Sequence, residues 1–182
     1  MYKEEIISII ADLYEEHKIS ELGFNLKKYC KEAGILLIPY SSFENGYEKL
    51  CRFDEDGFNI INPESNCCEI YYNDEIYPRL RTKFTIPHEI GHISLGHNLK
   101  LSNETAQQKW EADTFANEFY CPQVLIIYFN LLTKQKLMSA FGITAGYAST
   151  LLEKIKQRRS MKFTPNEQRL LNVFLKNAKN KK

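Results

Sequence analysis

The sequence predicts an α+β fold in which a small sheet supports two helices that carry polar, reactive side chains. Three observations point to this class. Apolar residues recur at helical spacing near both ends of the chain, aromatic and β-branched segments occupy its middle, and Asp-Gly and Asn-Pro turn signals separate those segments. With 182 residues and 43% hydrophobic side chains, the chain is long enough for one compact domain with a small appendage.

The first half of the chain is expected to form helices, a strand and a meander. Residues 2–18 share one apolar stripe, and Asn25 can cap a second helix over residues 26–33 that stops at Gly34. The apolar run at residues 35–38 predicts a short buried strand. An antiparallel meander of three further strands is predicted for residues 47–53, 57–62 and 67–72.

The segment Thr85–His92 contains the pattern His-Glu-x-x-His, and the rest of the chain is organised around it. On a helix, His88 and His92 project from the same side, so both imidazoles can bind one metal ion while Glu89 lies beside it. A zinc hydrolase needs this arrangement, with the carboxylate accepting a proton from water. We therefore predict a Zn²⁺ site with His88 and His92 as ligands and Glu89 as the catalytic base.

The alternative is a surface helix that happens to carry two histidines. Ile86, Ile90 and Ile93 fall on the side opposite the histidines, which predicts a helix whose back enters a core. Because proline is tolerated only within the first turn, this motif helix should begin a few residues before Pro87. His97 lies about 140° around a continued helix from His92, so it is expected in a loop or at the rim of the site.

A third ligand is expected from the next helix, which is predicted over residues 105–120 and ended by Pro122. Glu104, Glu111 and Glu118 lie close to one line along its side, so each of the three could face the metal. This line borders the stripe expected to be buried. The stripe consists of Ala112, Phe115, Ala116 and Phe119.

The C-terminal part has its own pattern. Residues 137–155 are typical of a helix, a turn at Gly142 and a second helix capped by Thr144, which is the shape of a helix-turn-helix. Residues 153–182 hold ten Lys and Arg against two Glu, so a basic tail follows an acidic body. DNA binding, docking of a partner and plain packing all stay open for this segment.

We expect a domain over residues 1–125 and a helical subdomain over residues 126–182.

Composition indicates the compartment of the protein. The five cysteines are odd in number and lack C-x-x-C spacing, which favours free thiols in a reducing compartment. The sequence contains no apolar run of membrane-spanning length and no basic leader, so we expect a cytoplasmic protein without a membrane segment. Its oligomeric state is left open.

Taken together, these motifs resemble the ImmA/IrrE metallopeptidase family. The resemblance covers about residues 20 to 125, and the matching segments are Tyr71–Asn73, Arg81–His92, Glu111–Glu118 and Pro122. It implies a zincin-like core in which His88 and His92 are zinc ligands, Glu89 is the general base and Glu111 is the glutamate ligand. It further implies that Glu118 supports the site or the fold. The sequence departs from the family at Pro87 and at Leu95–His97.

The resemblance also implies a function. The chain is expected to be a zinc-dependent endopeptidase that cleaves a helix-turn-helix repressor of a phage or mobile element and thereby turns genes on. The substrate should lie extended against the strand that ends near Tyr72 and Asn73, with Tyr71, Tyr72 and Arg81 as possible contacts to the developing oxyanion. The alternative is a non-catalytic DNA-binding regulator with a structural zinc site.

Overall fold

The computed structural model describes residues 1–97, 104–158 and 162–181 of the chain. The described part combines helices with one three-stranded mixed sheet, so the α+β class is confirmed. In chain order the elements are α1 (Lys3–Glu16), α2 (Leu26–Glu32), β1 (Ile35–Pro39), α3 (Tyr47–Phe53), β2 (Gly57–Ile61), β3 (Cys68–Tyr72), α4 (Thr82–Ser94), α5 (Ala106–Tyr120), α6 (Gln123–Tyr128), α7 (Lys134–Phe141), α8 (Ala145–Arg158) and α9 (Pro165–Asn180). Two short 3₁₀ turns, Tyr40–Ser42 and Arg79–Arg81, complete the described elements.

The chain forms two compact units. One contains residues 25–116, and the other contains residues 1–24 together with residues 117–182. This division differs from the boundary expected after residue 125. That boundary concerns domains that fold independently, and it stays a prediction because compactness alone does not test independent folding.

The sheet lies in the unit of residues 25–116 and has the strand order β1-β3-β2. β1 runs parallel to β3, and β2 runs antiparallel to β3 with Gly57 opposite Tyr72. β3 is therefore paired on both sides, and a peptide cannot add to it as the sequence led us to expect. The strand expected over residues 35–38 is present as β1, but it is an edge strand whose Leu36 is 53% exposed, so the expectation that it is buried was wrong.

Residues 47–53 form a helix, so the prediction of a strand there was wrong. Tyr47, Leu50 and Cys51 are spaced three and four residues apart, which is the helical period that the aromatic content of the segment concealed. An ion pair one helical turn apart, Glu48 to Arg52 at 3.7 Å, spans the same segment.

Helix α4, which carries the two histidines, begins at Thr82 directly after a 3₁₀ turn. Pro87 is its sixth residue and so lies one turn deeper than expected. Ile86 and Ile90 are buried, as predicted for the back of the helix. α4 approaches α5 closely at Gly91, where a Cβ atom would lie 3.1 Å from Cβ of Phe115. Glycine at this position therefore sets the spacing of the two helices.

We expect Gly57→Ala to lower the free energy of unfolding by about 1–3 kcal/mol. A Cβ atom there would lie 2.7 Å from the backbone oxygen of Tyr71 and 2.9 Å from Cγ2 of Thr85, so strand pairing or the contact with α4 must shift. Gly146→Ala is the control, because its Cβ would meet nothing closer than 4.0 Å on a helix where alanine is favoured. Urea unfolding of both variants checks the expectation, which fails if they change stability in the same direction.

In the other unit, α9 packs along α1 and pairs its cations with the acidic side chains of that helix. Arg169 lies 2.5 Å from Asp12, and Lys176 lies 3.3 Å from Glu15. The pair Lys181–Glu21 follows the same pattern. Several cations of the basic tail thus have carboxylate partners within the chain, while Arg159 and Lys182 lie outside the described residues.

The helix, glycine turn and capped helix of the C-terminal part are present where the sequence placed them. Gly142 ends α7 in a left-handed conformation, and the Thr144 hydroxyl accepts a hydrogen bond of 3.1 Å from the backbone N–H of Tyr147 at the start of α8. Leu137, Phe141 and Leu151 are buried. Whether this segment binds DNA or a partner stays a prediction.

All five cysteines are described and none is in a disulfide. Burial raises the pKa of the Cys30 thiol to about 12, which keeps it protonated and unreactive. Within the described ranges, the helices are too short or too polar for any of them to cross a membrane.

Candidate metal centre

Two imidazoles face each other on α4. His88 and His92 are four residues apart, and their Nε2 atoms lie 3.0 Å from each other. Two nitrogen ligands of one zinc ion are separated by roughly 3.3 Å, as follows from Zn–N bonds of about 2.0 Å at a tetrahedral angle. The two side chains therefore have nearly the spacing that a shared metal ion requires.

A carboxylate completes this group, and it belongs to Glu104. Its Oε1 atom lies 3.1 Å from Nε2 of His92 and 3.7 Å from Nε2 of His88. One donor atom from each of the three residues lies within 4.8 Å of the others. Two imidazoles and one carboxylate are the protein ligands of many catalytic zinc sites, so the donor set fits a zinc ion.

Glu111, the ligand that the family resemblance implies, lies on α5 and is not part of this group of three donors. Its carboxylate contacts the ring of His97 at 2.8 Å and accepts a hydrogen bond of 2.8 Å from the amide of Gln107. The expected line of three glutamates extended the helical spacing back to Glu104, one residue before the predicted helix, whereas α5 begins at Ala106. The direction in which the Glu104 side chain points is therefore not set by the helical repeat of α5. Glu111 as a ligand stays a prediction, with Glu104 as the second candidate.

Glu118, the third glutamate of the predicted line, lies in the unit of residues 1–24 and 117–182. Its buried carboxylate lies 2.7 Å from the ammonium group of Lys3 and accepts a hydrogen bond of 3.1 Å from the backbone N–H of Gln123. The latter bond satisfies a backbone donor at the first residue of α6. These partners indicate that Glu118 stabilises the fold.

Glu89 is 5% exposed and is held by a hydrogen bond that the sequence did not suggest. The side-chain amide of Asn59 on β2 donates to Oε2 of Glu89 at 2.7 Å. Burial raises the pKa of Glu89 to about 7, against the opposing effects of a positive charge on His88 and of the Asn59 hydrogen bond. A carboxyl group with a pKa near neutrality can both accept and release a proton, as a general base must.

The surroundings of the two imidazoles set their hydrogen bonds and their pKa values. Nδ1 of His88 lies 2.9 Å from Oδ1 of Asp113 on α5. Burial lowers the pKa of His88, but the hydrogen bond to Asp113 and the nearby carboxylates raise it, and the net shift is upward. Burial lowers the pKa of His92 to about 3, with help from positive charge on His88 and His97. His92 is therefore a neutral imidazole, the form that binds metal.

His97 lies in the loop that follows α4, which is one of the two places expected for it, and its side chain is 8% exposed. Gly96 adopts φ +66°, the backbone N–H of His97 donates to the carbonyl of His92 at 3.0 Å, and that of Gly96 donates to Ile93 at 3.2 Å. This hydrogen-bond pair is a Schellman motif, which folds the chain back over the last helical turn.

An open cleft of about 540 Å³ exposes the site. Its walls include residues of β2, α4 and α5, and three aromatic side chains, Phe53, Phe58 and Phe84, line it. Arg81 reaches the cleft and pairs with Asp56 at 2.7 Å. Tyr72 lines a different pocket, and the Tyr71 hydroxyl donates to Glu69 at 2.8 Å. Of the three side chains expected to contact the oxyanion, Arg81 lines this cleft.

A model of a known protein family matches the chain. The model of peptidase M78, described as the IrrE N-terminal-like domain, matches residues 30–152, which is more than half of the chain. The chain belongs to the peptidase M78 family. This is the ImmA/IrrE family of metallopeptidases, so the resemblance noted in the sequence is confirmed. No curated protein and no solved structure gives a significant match.

The M78 match contains the whole candidate centre, whereas α1 and α9 lie outside it. Two polar contacts of the M78 domain were missed from the sequence. Asn59 offered one weak signal, since asparagine is depleted in strands and a buried one needs a partner. Asp113 offered another, because it lies one helical turn after Lys109 and the two therefore share one face of the helix. In the structure both residues line the cleft.

Proposed function

We propose that the chain is a zinc-dependent endopeptidase. The observation that carries this proposal is a buried carboxyl group, Glu89, next to two imidazoles whose Nε2 atoms face each other in an open cleft. The metal ligands would be His88, His92 and one carboxylate, for which Glu104 has the favourable distance and Glu111 has the family resemblance. Membership in a metallopeptidase family supports the same chemistry.

Each polar residue has a specific task in peptide hydrolysis. A zinc ion held by the two imidazoles would act as a Lewis acid that polarises the scissile carbonyl and lowers the pKa of water. Glu89 accepts the proton of the attacking water and passes it to the leaving amine. Asn59 holds Glu89 through its hydrogen bond, and Asp113 holds the ring of His88. Arg81 and Lys109 are cations that line the cleft, and Arg81, which pairs with Asp56, would stabilise the developing oxyanion.

The substrate would bind as an extended strand along β2. No strand of the described residues pairs with the outer edge of β2, and several residues in and before that strand line the cleft. Backbone hydrogen bonds to such an edge fix the register of a peptide, and pockets for alternate side chains give specificity. The aromatic side chains of Phe53 and Phe84 favour an apolar residue beside the scissile bond.

The substrate we propose is a helix-turn-helix repressor encoded on a phage or mobile element. The family resemblance supports this proposal, and an open cleft beside a strand edge suits an unfolded or extended segment of a protein. The rival is a DNA-binding regulator with a structural zinc ion. The pairing of Arg169 and Lys176 of α9 with α1 carboxylates weakens this rival, because paired cations release fewer counterions from phosphate.

We expect removal of the metal by a chelator to abolish cleavage, and one equivalent of zinc to restore it. The test uses purified wild type, a repressor encoded next to it and mass spectrometry to map the cut. Cleavage that persists in metal-free protein contradicts the proposal. If wild type holds zinc but cuts nothing, and instead binds a short duplex with an affinity that falls steeply as salt rises, the regulator hypothesis is favoured.

A further inference from the structure

We propose that the outer edge of β1 is a docking site for an extended, acidic segment of another protein. The bound segment would add to the sheet as a further strand, with acidic side chains on one face and apolar side chains on the other. β1 and β2 are the two opposite edges of the sheet, and the cleft lies beside β2. The docking site is therefore separate from the proposed peptidase site and does not depend on its activity.

The outer edge of β1 is exposed and apolar. Within the described ranges of the chain, β1 pairs with β3 alone, so the backbone groups along its other edge make no bonds to a strand. The five residues of β1 include no charged side chain, and Leu36 is 53% exposed. Edge strands of natural proteins are commonly protected by charged side chains or bulges. An unprotected edge is the template that a peptide uses in strand addition.

Lysine side chains lie along one face of this edge. A groove of about 590 Å³ follows β1, and its lining includes Lys27 and Lys31 of α2 together with Leu37 of β1. The two lysines are four residues apart and therefore share one face of α2. Neither has an ion-pair partner among the residues that the structure describes, whereas Lys28 pairs with Glu32 at 3.7 Å. The groove thus combines an apolar strand edge with two cations that a carboxylate of a partner can approach.

A neighbouring pocket of about 360 Å³ extends the positive charge, because both Lys27 and Lys83 line it. Burial lowers the pKa of Lys83, and the positive charge of Lys27 lowers it further. Asp74 also lines this pocket, but its carboxylate accepts hydrogen bonds from the backbone N–H and the hydroxyl of Ser41 at 3.1 and 2.6 Å. A carboxylate bound near the two lysines would offset their repulsion, and this charge complementarity favours an acidic partner.

The alternation of side chains along β1 specifies the pattern of the partner. Ile35, Leu37 and Pro39 project to the face on which α2 packs. Leu36 and Ile38 project to the other face. The side chains of an added strand would follow the same alternation, because directly opposite residues of paired strands share a face. Acidic side chains at every second position would then meet the lysines of α2, and apolar side chains between them would cover the far face of β1.

The first test is binding of a fluorescein-labelled seven-residue peptide in which Glu alternates with Val, measured by anisotropy with the full chain. We expect Lys27→Gln and Lys31→Gln each to weaken binding by about threefold, and the double variant by about tenfold. Lys28→Gln is the matched control and should bind as wild type does, because Lys28 lines neither pocket. Equal losses in the three single variants, or no binding by wild type, overturn the proposal.

Two N-methylated versions of the peptide test strand addition itself. An added strand directs its backbone N–H groups alternately toward β1 and toward solvent. Methylation of every Glu nitrogen or of every Val nitrogen should therefore have unequal effects, with one version losing binding and the other keeping it. Equal effects of the two versions contradict strand addition. A peptide of the same composition with its Glu residues clustered at one end should bind about tenfold more weakly, and equal affinity for this peptide contradicts the alternating pattern.

A pair of edge variants locates the site on β1. Leu36→Glu should weaken peptide binding by about tenfold, since it replaces apolar contact with a repelling charge. Ile61→Glu makes the same kind of change at a 58% exposed position of β2 and should leave binding unchanged. Displacement of the peptide by a short DNA duplex, or a wild-type dimer that Leu36→Glu dissociates, would identify a different occupant and overturn the proposal. None of these measurements requires metal or cleavage, so their failure leaves the proposed peptidase function unaffected.

Discussion

Replacing Glu89 with glutamine should lower kcat for peptide cleavage by about 10³-fold while the protein keeps its metal and its fold. Glutamine fills the same space and can still accept the hydrogen bond from Asn59, but it cannot take a proton from water. Because the side chain lies beside the metal ligands rather than among them, zinc content should not change. The measurement is single-turnover cleavage of the mapped substrate together with elemental analysis of both proteins.

The matched control is Glu44→Gln, which removes the same charge from an exposed position away from the cleft. It should cleave at the wild-type rate. Full activity in Glu89→Gln would exclude Glu89 as the base, and loss of zinc from that variant would show that its carboxylate binds the metal directly.

Removing one imidazole should have the next largest effect, and His92→Ala should weaken zinc binding by at least ~1,000-fold and eliminate measurable cleavage. Wild type should also gain thermal stability when zinc is added, because a ligand that binds only the folded state raises Tm. His92→Ala should lose this zinc-dependent shift, and that loss separates metal binding from the packing cost of emptying a buried site. Calorimetry with and without zinc measures both quantities.

His17→Ala is the control for this series, since His17 is the one histidine of the chain outside the motif and its neighbour His97. It should keep the zinc-dependent rise in Tm. A retained rise in His92→Ala would mean that the metal binds elsewhere. Glu104→Ala and Glu111→Ala belong in the same experiment, because the carboxylate ligand should cost far more affinity than the other glutamate.

Local patterns predicted much of this fold. The Asn25 cap of α2 and the buried stripe of α5 are each set by neighbouring residues, and the structure has them as expected. The apolar stripe expected on α1, namely Ile6, Ile9, Ile10 and Leu13, is buried in part. Ile9 and Leu13 are half-buried, while Ile7, Ala11 and Tyr14 are buried beside Ile6 and Ile10. The spacing of His88 and His92 likewise follows from the helix alone. Such features need no knowledge of distant contacts, which is why the sequence was sufficient for them.

Features that depend on long-range contacts or on exact helix ends were less accessible. β3 (residues 68–72) pairs with residues 35–39 on one side and with residues 57–61 on the other. The alternation of apolar and polar residues within one strand does not predict which strands pair with it. Asn59 meets Glu89 across thirty positions of sequence. α9 carried a signal that we did not use, since Thr164 and Glu167 form a capping box with Pro165 between them.

The end of α4 shows how a residue without a side chain can determine chemistry. Helix termini normally fray, and their backbone groups open far more often than those of the core. Here the last turn contains His92, and the left-handed Gly96 closes that turn with two backbone hydrogen bonds. How rigidly the imidazole of His92 is held thus depends on how seldom this helix end opens. A β-carbon at Gly96 would strain this closure and loosen the imidazole without touching it.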